Sequence, residues 1–453
     1  MKSLRKSVDM LNGDLYSNIF IFALPVMASG IIQLLFNAID MIVVGKFSGS
    51  TSMAAVSSTS SLINLVTNLF IGLSVGSSVA VAKRIGTNNY DAVQKAVHTA
   101  MEIAFIAGTF ITIIGIVFSK TFLIWMKSPE DVIDLSTLYL RIYFTGMLAT
   151  FVYNFASGIL RAKGDTKRPL FALTVAGALN ALLNLFFVVV LKMDVAGVGL
   201  ASSISSYVSA IIVVVVLIAD PGIVRFDIKH MYIDKEALID IVKVGIPAGI
   251  QSTVFSLSNV VIQSSVNEFG SIVMAGNGAA SSIANFVYNA MNAFYQTCLT
   301  FTSQNIGAGN IIRVKKIIII CLLYVSIVGI VFGNLVYIFG DPLLGIYSDD
   351  LEVIASGKVK LLYMCVPYFI CGIMDVFVGS LRGMGSSIFP MIVSLTGACA
   401  FRLLWVATYF KTHHSIDVLY LSYPISWIIT ASIHFLTFLV VYNRIKKKSM
   451  HTT

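Results

Sequence analysis

Residues 160–169 read LRAKGDTKRP, and residues 381–390 read LRGMGSSIFP. Leu160, Arg161, Gly164 and Pro169 recur as Leu381, Arg382, Gly385 and Pro390, each 221 residues on. A second pair lies upstream of each. IGTNNYDAVQK at 85–95 returns as IGAGNIIRVKK at 306–316, with Ile85, Gly86, Asn89, Val93 and Lys95 matched at the same offset. Pro25 and Pro247 form a third echo, 222 apart. Matches at essentially one offset in three regions imply two homologous halves.

The chain between these echoes is strongly apolar. Of 453 residues, 57% are hydrophobic and 12% charged, where a soluble domain carries about 25% charged residues. The apolar residues come in runs of about 20 or more, enough to cross a hydrocarbon core roughly 30 Å thick. Hydropathy places about twelve spans, so an all-α membrane protein is expected. They lie near 16–45, 53–82, 96–118, 135–160, 170–191 and 195–218, then 238–266, 272–305, 317–339, 359–381, 389–410 and 418–442. Six is even, so the two halves share one topology and form parallel repeats, an arrangement typical of secondary transporters. The expected division is an amino-terminal six-helix lobe at 1–218, a polar linker at 219–236 and a carboxy-terminal six-helix lobe at 237–453 with a short basic tail. No loop is long enough for a separate soluble domain.

Basic residues set the orientation. With both termini inside, 21 of the 31 Lys and Arg residues fall on inner segments, 7 on outer ones and 3 (Arg141, Lys243, Arg402) within spans. Lys358 and Lys360 are counted among the outer seven. This asymmetry predicts a multi-pass protein of a cell (cytoplasmic) membrane with both termini cytoplasmic. The net charge of +9 then reflects topology, and no nucleic-acid partner is expected. Lys2, Arg5 and Lys6 resemble a signal n-region, but the apolar run after them is too long for a signal h-region. Cys298, Cys321, Cys365, Cys371 and Cys399 all fall in spans without metal-ligand spacing, so neither a metal nor a disulfide framework is expected. The chain has no Asp-rich diphosphate motif, HExxH, P-loop or Gly-x-Ser-x-Gly. An enzyme and a nucleotide-driven pump are therefore not expected, nor is a cofactor. A pure channel would not need duplicated halves.

One acid stands out, Asp40 in LLFNAIDMIVVG at 34–45. A charge at the centre of a membrane helix costs about 2.5–3.5 kcal/mol and normally faces a bundle interior or a wet cavity. A carboxyl removed from water holds its proton more tightly and can exchange it near neutral pH. Asp40 is five residues before Gly45, so an interfacial acid beside Lys46 is the competing reading. Gln33 and Asn37 share its helix face, as do Asn180 and Asn184 with each other. Asp375 and Arg402 are expected either to form an intramembrane ion pair or to leave Asp375 as a second coupling or substrate acid. Glu102 and Arg141 could pair likewise, and His98 and His434 are expected at interfaces. Gly72-x-x-x-Gly76 has the small-residue spacing of close helix packing. Met27 and Met41 could line an adaptable pocket.

The order of features resembles the multidrug and toxic compound extrusion (MATE) transporters. The residues that carry the resemblance are Pro25 followed by NAIDMIVVGKFSG, the basic turn after span 2, ILRAKGDTKRP after span 4, NALLN and VAGVGLASS across spans 5 and 6, and SLRGMGSSIFP after span 10. Asp40 late in span 1, with no glutamate in span 7, is similar to the DinF-like rather than the NorM branch. Gln251 stands four residues after Pro247 there. The resemblance implies two six-helix bundles and efflux of organic cations or other amphipathic compounds in exchange for protons or sodium. It groups Asp40 with Asn154, Asn180, position 184 and a span-6 hydroxyl, Ser202 or Ser203. Many DinF-like members carry aspartate at 184 where this chain has Asn184. One acid among asparagines suits a proton better than sodium, although asparagine carbonyls also ligate sodium, so Na+ near Asp40 stays open. Gln33, Asn37, Met27, Gln251 and Asp375 become candidates for the substrate cavity, and Pro25 for a hinge coupled to protonation. Partners would be amphipathic or cationic small molecules and membrane lipid, and a monomer is expected. The alternative is a lipid-linked saccharide flippase of the wider superfamily, although the first half's spans hold only Arg141 for an anionic substrate.

Overall fold

The computed structural model describes residues 7–126, 128 and 130–450; Lys2, Arg5, Lys6 and Lys127 lie outside them. No strand occurs among the described residues. The helices are α1 (Leu15–Phe47), α2 (Ser50–Gly86), α3 (Tyr90–Trp125), α4 (Glu130–Thr145), α5 (Met147–Ala162), α6 (Lys167–Asn184) and α7 (Asp194–Ile218). They continue as α8 (Lys235–Asn267), α9 (Ser271–Gly307), α10 (Ile311–Ile338), α11 (Gly340–Gly345), α12 (Leu351–Cys365), α13 (Tyr368–Gly383), α14 (Ile388–Ser394), α15 (Phe401–Trp405) and α16 (Ile416–Met450).

Nine helices among the described residues are long and apolar enough to cross a membrane, or eleven with two bent pairs counted as single spans. Expected span 4 is the pair α4–α5 and span 10 the pair α12–α13, each bent by 42°. The first breaks at Gly146 and the second beside Pro367. A break leaves backbone groups without helical partners, and in lipid these must be satisfied internally. Hydroxyls from α7 do this for the first bend: Ser203 donates to Ile142 O at 2.9 Å and Tyr207 to Thr145 O at 3.0 Å. The remaining expected span, the eighth, is α9, which is not among the apolar nine. It packs against α10, α12 and α13 and buries residues all along its length. A helix so screened from lipid needs little apolar surface, which accounts for its weaker hydropathy. Two expected spans also change pitch. Span 5 ends in a π-helix, Leu185–Val190, and span 11 contains π-turns at Leu395–Ala400 and Val406–Phe410.

The repeated motifs turn out to be helix ends. In LR-x-x-G, Gly164 (φ +97°) and Gly385 (φ +83°) take the left-handed conformation. The amide of Gly164 bonds to Arg161 O at 2.8 Å and that of Asp165 to Leu160 O at 2.9 Å. Gly385 and Ser386 repeat the pattern on Arg382 and Leu381. This is the Schellman stop, and glycine adopts it without steric penalty. In the other echo the left-handed position is Asn88 in one half and Gly309 in the other.

The chain divides into two compact units. Unit 1 comprises Met1–Val8 and Ala28–Gly249; unit 2 comprises Asp9–Met27 and Ile250–Thr453. The boundaries therefore fall inside α1 and α8, two residues after Pro25 and Pro247, and not at the linker. The linker belongs to unit 1. Gln94 donates to Ile223 O at 2.8 Å, the Asp227 amide to His98 Nε2 at 3.2 Å, and the Asp234 amide to Thr99 Oγ1 at 2.9 Å. The linker's own Val224 and Phe226 are fully buried. Also in unit 1, Gly72 and Gly76 of α2 face Gly245 and Gly249 of α8 so closely that a Cβ on Gly72 or Gly76 would run into α8 backbone. α1 passes through Pro25 as one continuous helix.

Candidate functional site

Asp40 lies in unit 1, on α1. Its register is set four residues earlier, where the Phe36 ring occupies the space that a Cβ on Gly177 of α6 would fill. Asn180 and Asn184 follow Gly177 by three and seven positions, so they rise on the same face of α6 as Asp40 rises above Phe36 on α1. α7, packed on α6, contributes Ser202.

The four side chains close a ring. Asn184 Nδ2 donates to Asp40 Oδ1 and also to Asn180 Oδ1 at 3.1 Å. Asn180 Nδ2 reaches Ser202 Oγ at 3.5 Å. Ser202 Oγ donates to Asp40 Oδ2 at 3.0 Å. Asn180 and Asn184 are buried, Asp40 and Ser202 partly so. Both donors to the carboxylate are neutral, and no basic side chain pairs with it among the described residues. Asn184 Oδ1 is buried without a hydrogen-bond partner. The oxygens available to a small cation are thus the carboxylate and this amide oxygen; no group of three or more His, Cys, Asp or Glu forms a metal site among the described residues.

Of the two candidate hydroxyls, Ser202 joins the ring, while Ser203 braces the α4–α5 bend. Asn154 does not join. It donates to Thr150 O at 2.8 Å and lines a small, shallow cleft with Thr67, Phe70, Ile71, Thr150, Phe151 and Phe155. Gln33 and Asn37 are exposed, and Met27 is partly exposed in unit 2. Tyr139 and Tyr143 of α4 were not singled out from the sequence, yet both lie within electrostatic range of Asp40. Their i, i+4 spacing was the available signal. Phe36 and Gly177 gave none, because their pairing joins distant parts of the chain.

The matching places in unit 2 are apolar. Offsets of 222 and 221 carry Asp40 to Ile262, Asn180 to Phe401 and Asn184 to Trp405. Gln251, expected in a cavity, is buried in a different network. It accepts from Arg382 Nη2 at 2.9 Å and donates to Ser394 Oγ at 3.0 Å. Arg382 Nη1 donates to Tyr295 Oη at 2.6 Å, and Ser394 bonds His434 Nε2 at 3.1 Å.

Several expected pairings fail. Arg402 does not pair with Asp375. It donates to Ser426 Oγ at 2.9 Å and lies 4.4 Å from the centre of the Tyr423 ring; Asp375 takes the Tyr288 hydroxyl instead. Phe401 occupies the place matched to Asn180, so Arg402, one residue on, is turned about 100° around the helix. Glu102 and Arg141 are also apart: Glu102 Oε2 is buried without a partner, and Arg141 is exposed. His98 and His434 are both buried in polar contacts, His98 against the linker and His434 against Ser394. Lys360, counted as an outer-loop residue, is buried in α12 and donates to Ser281 Oγ and Asn277 O.

The chain matches the model of the MatE family twice, over residues 25–186 and 247–408. The probable multidrug resistance protein YoeA of Bacillus subtilis is 28% identical over 389 residues, 84% of each chain. A second from that organism, YpnP, is 27% identical over 410 residues, 89% of this chain and 90% of the relative. The fold superposes with a TM-score of 0.91 on an outward-facing multidrug resistance MATE transporter, 20% identical and covering 98% of this chain and 99% of that one.

Proposed function

The chain belongs to the MatE family of multidrug efflux transporters, and from that premise we propose that it is a proton-coupled antiporter of the DinF-like branch. It expels amphipathic organic cations by alternating access. The observation that carries the reading is the ring around Asp40: a carboxylate held only by neutral donors, with no fixed counter-ion.

An ionised carboxylate in a low-dielectric setting is costly unless a cation neutralises it. A cationic substrate and a proton can each supply that neutralisation, so they compete. Protonation turns one carboxylate oxygen into a donor, while Asn184 and Ser202 both present hydrogens. Asn184 meets this by turning its amide, so that the Oδ1 now lacking a partner accepts the new O–H. The proton thus rearranges the link between α1 and α6 and discharges the site in one step. Gln33 and Asn37, on the Asp40 face of α1, extend this surface towards the substrate. Coupling is reciprocal: bound substrate lowers proton affinity by the factor by which the proton lowers substrate affinity. Sodium is the weaker candidate, because position 184 supplies an amide and not a second charge. In this reading the chain sits in a cell membrane with both termini in the cytoplasm, and the working unit is a monomer.

The test uses inside-out vesicles in sodium-free buffer with a dye reporting the pH gradient. A fluorescent organic cation should dissipate the gradient with the wild-type chain, and Asp40→Asn should return the signal to that of empty vesicles. Transport supported only by a sodium gradient would overturn proton coupling. Failure of both gradients would redirect attention to anionic lipid-linked substrates.

A further inference from the structure

We propose that the cytoplasmic rim of unit 2 is a docking surface for the headgroups of anionic phospholipids. The proposal rests on the cytoplasmic placement of the termini given above, and not on the coupling ion or the substrate.

The two units treat their cytoplasmic charges differently. In unit 1, acids lie among the bases and pair with several of them, although Lys83, Lys167 and Lys235 are exposed with no carboxylate within 4.0 Å among the described residues. Arg84 bonds Asp240 at 2.9 Å, Lys163 bonds Asp220 at 2.7 Å, Lys95 lies 3.7 Å from Asp234, and Arg168 contacts Asp165 and Asp220. In unit 2, the segments 307–316 and 442–450 contain no acid. Lys315, Lys316, Arg444, Lys446 and Lys447 are exposed, and none has a carboxylate within 4.0 Å among the described residues. Two acids open this unit: Asp9 accepts the amides of Leu11 and Asn12 and lies within electrostatic range of Arg313, and Asp14 accepts the amide of Ser17; neither lies within 4.0 Å of the five bases.

Orientation during insertion depends on the number of inner bases, not on their being left unpaired. Position points to lipid as the missing partner. α16 has 35 residues, about 52 Å at 1.5 Å each, against a hydrocarbon core of about 30 Å. Its last turns, with Arg444 to Lys447, therefore emerge at the headgroup layer. Lys315 and Lys316 stand in the first turns of α10, at an end of a span on the same side. Juxtamembrane Lys and Arg are attracted to anionic leaflets, and the attraction falls off within a screening length.

The purified full-length chain in detergent is offered phosphatidylglycerol and phosphatidylcholine, and bound lipid is counted by native mass spectrometry. The wild type should retain phosphatidylglycerol over phosphatidylcholine by roughly tenfold at low salt. The preference should collapse as salt shortens the screening length. Lys315→Gln/Lys316→Gln and Arg444→Gln/Lys446→Gln/Lys447→Gln should each lower it, and Lys411→Gln on the outer side should not. Equal retention of the two lipids by the wild type, or a preference unchanged by salt, would overturn the proposal even if the variants fold poorly. So would inorganic polyphosphate binding without any lipid preference, which would indicate a soluble polyanion. Loss of transport would leave lipid retention intact, and Lys446→Cys labelled from outside whole cells would instead overturn the orientation.

Discussion

Asp40 is useful because its neighbours are neutral. Asn184 spends both amide hydrogens, one on Asp40 and one on Asn180, and leaves its oxygen buried and idle. A second carboxylate at this place would change the balance, since two adjacent acids cannot both ionise unless a cation lies between them. Asn184→Asp should therefore make substrate transport in the vesicle assay depend on a sodium gradient that the wild type ignores. A variant that stays sodium-independent would show that charge count does not select the ion. The sequence made Asp40, Asn180, Asn184 and Ser202 legible as one group, but only with the family pattern in hand; spacing alone joined Asn180 to Asn184. Asn154 was misplaced because a face can be read along one helix, whereas which faces meet depends on packing between helices.

Packing of α1 on α6 turns on a single absent side chain. Phe36 rests where Gly177 has no Cβ, and that contact sets the height at which Asp40 meets Asn184. Gly177→Val should cost about 1–3 kcal/mol by overpacking and also shift Asp40 off its partners. The expected result is a lowered melting temperature in detergent together with loss of coupled transport. Full transport at reduced stability would separate the seat from the site. All twelve expected spans have a helical counterpart, because runs of apolar residues are a strong signal. Their irregularities were not legible. Hydropathy averages over a window and passes smoothly across Gly146, where the chain bends by 42°, and across Leu185, where the pitch widens just after Asn184. π-turns often sit beside functional residues, and this one ends the helix that carries the asparagines.

Across the whole molecule, the connection between halves is stiff where a polar sequence suggests slack. Asp220, 2% exposed, receives Lys163 at 2.7 Å and Arg168 at 3.2 Å. Burial works against its charge, but Lys163, the Gly222 amide and Arg168 outweigh it and hold the carboxyl below the usual range. A carboxyl depressed in the folded state stabilises fully above its unfolded value of about 3.9 and ceases to do so as pH falls through its folded value. Hydrogen exchange at Gly222 and its neighbours should therefore stay slow near neutral pH and quicken below about pH 4. Asp220→Ala should loosen the same amides at every pH and cost about 3 kcal/mol, since it strands the partly buried Lys163 and leaves Arg168 with Asp165 alone. An exchange rate unchanged in the variant would show that the apolar anchors Val224 and Phe226 suffice. The duplication was legible because Schellman stops demand glycine at fixed places. The boundary between the units was not, because a helix that passes from one unit to the other has no composition break. That passage bears on ancestry. Residues 9–27 complete unit 2, and residues 235–249 complete unit 1, so each half of the chain lends its opening segment to the body built by the other. A single-repeat ancestor could have finished neither body alone and would have required a second copy of itself. Fusing two such copies in one gene would keep, within one polypeptide, the arms that a dimer would have had to exchange.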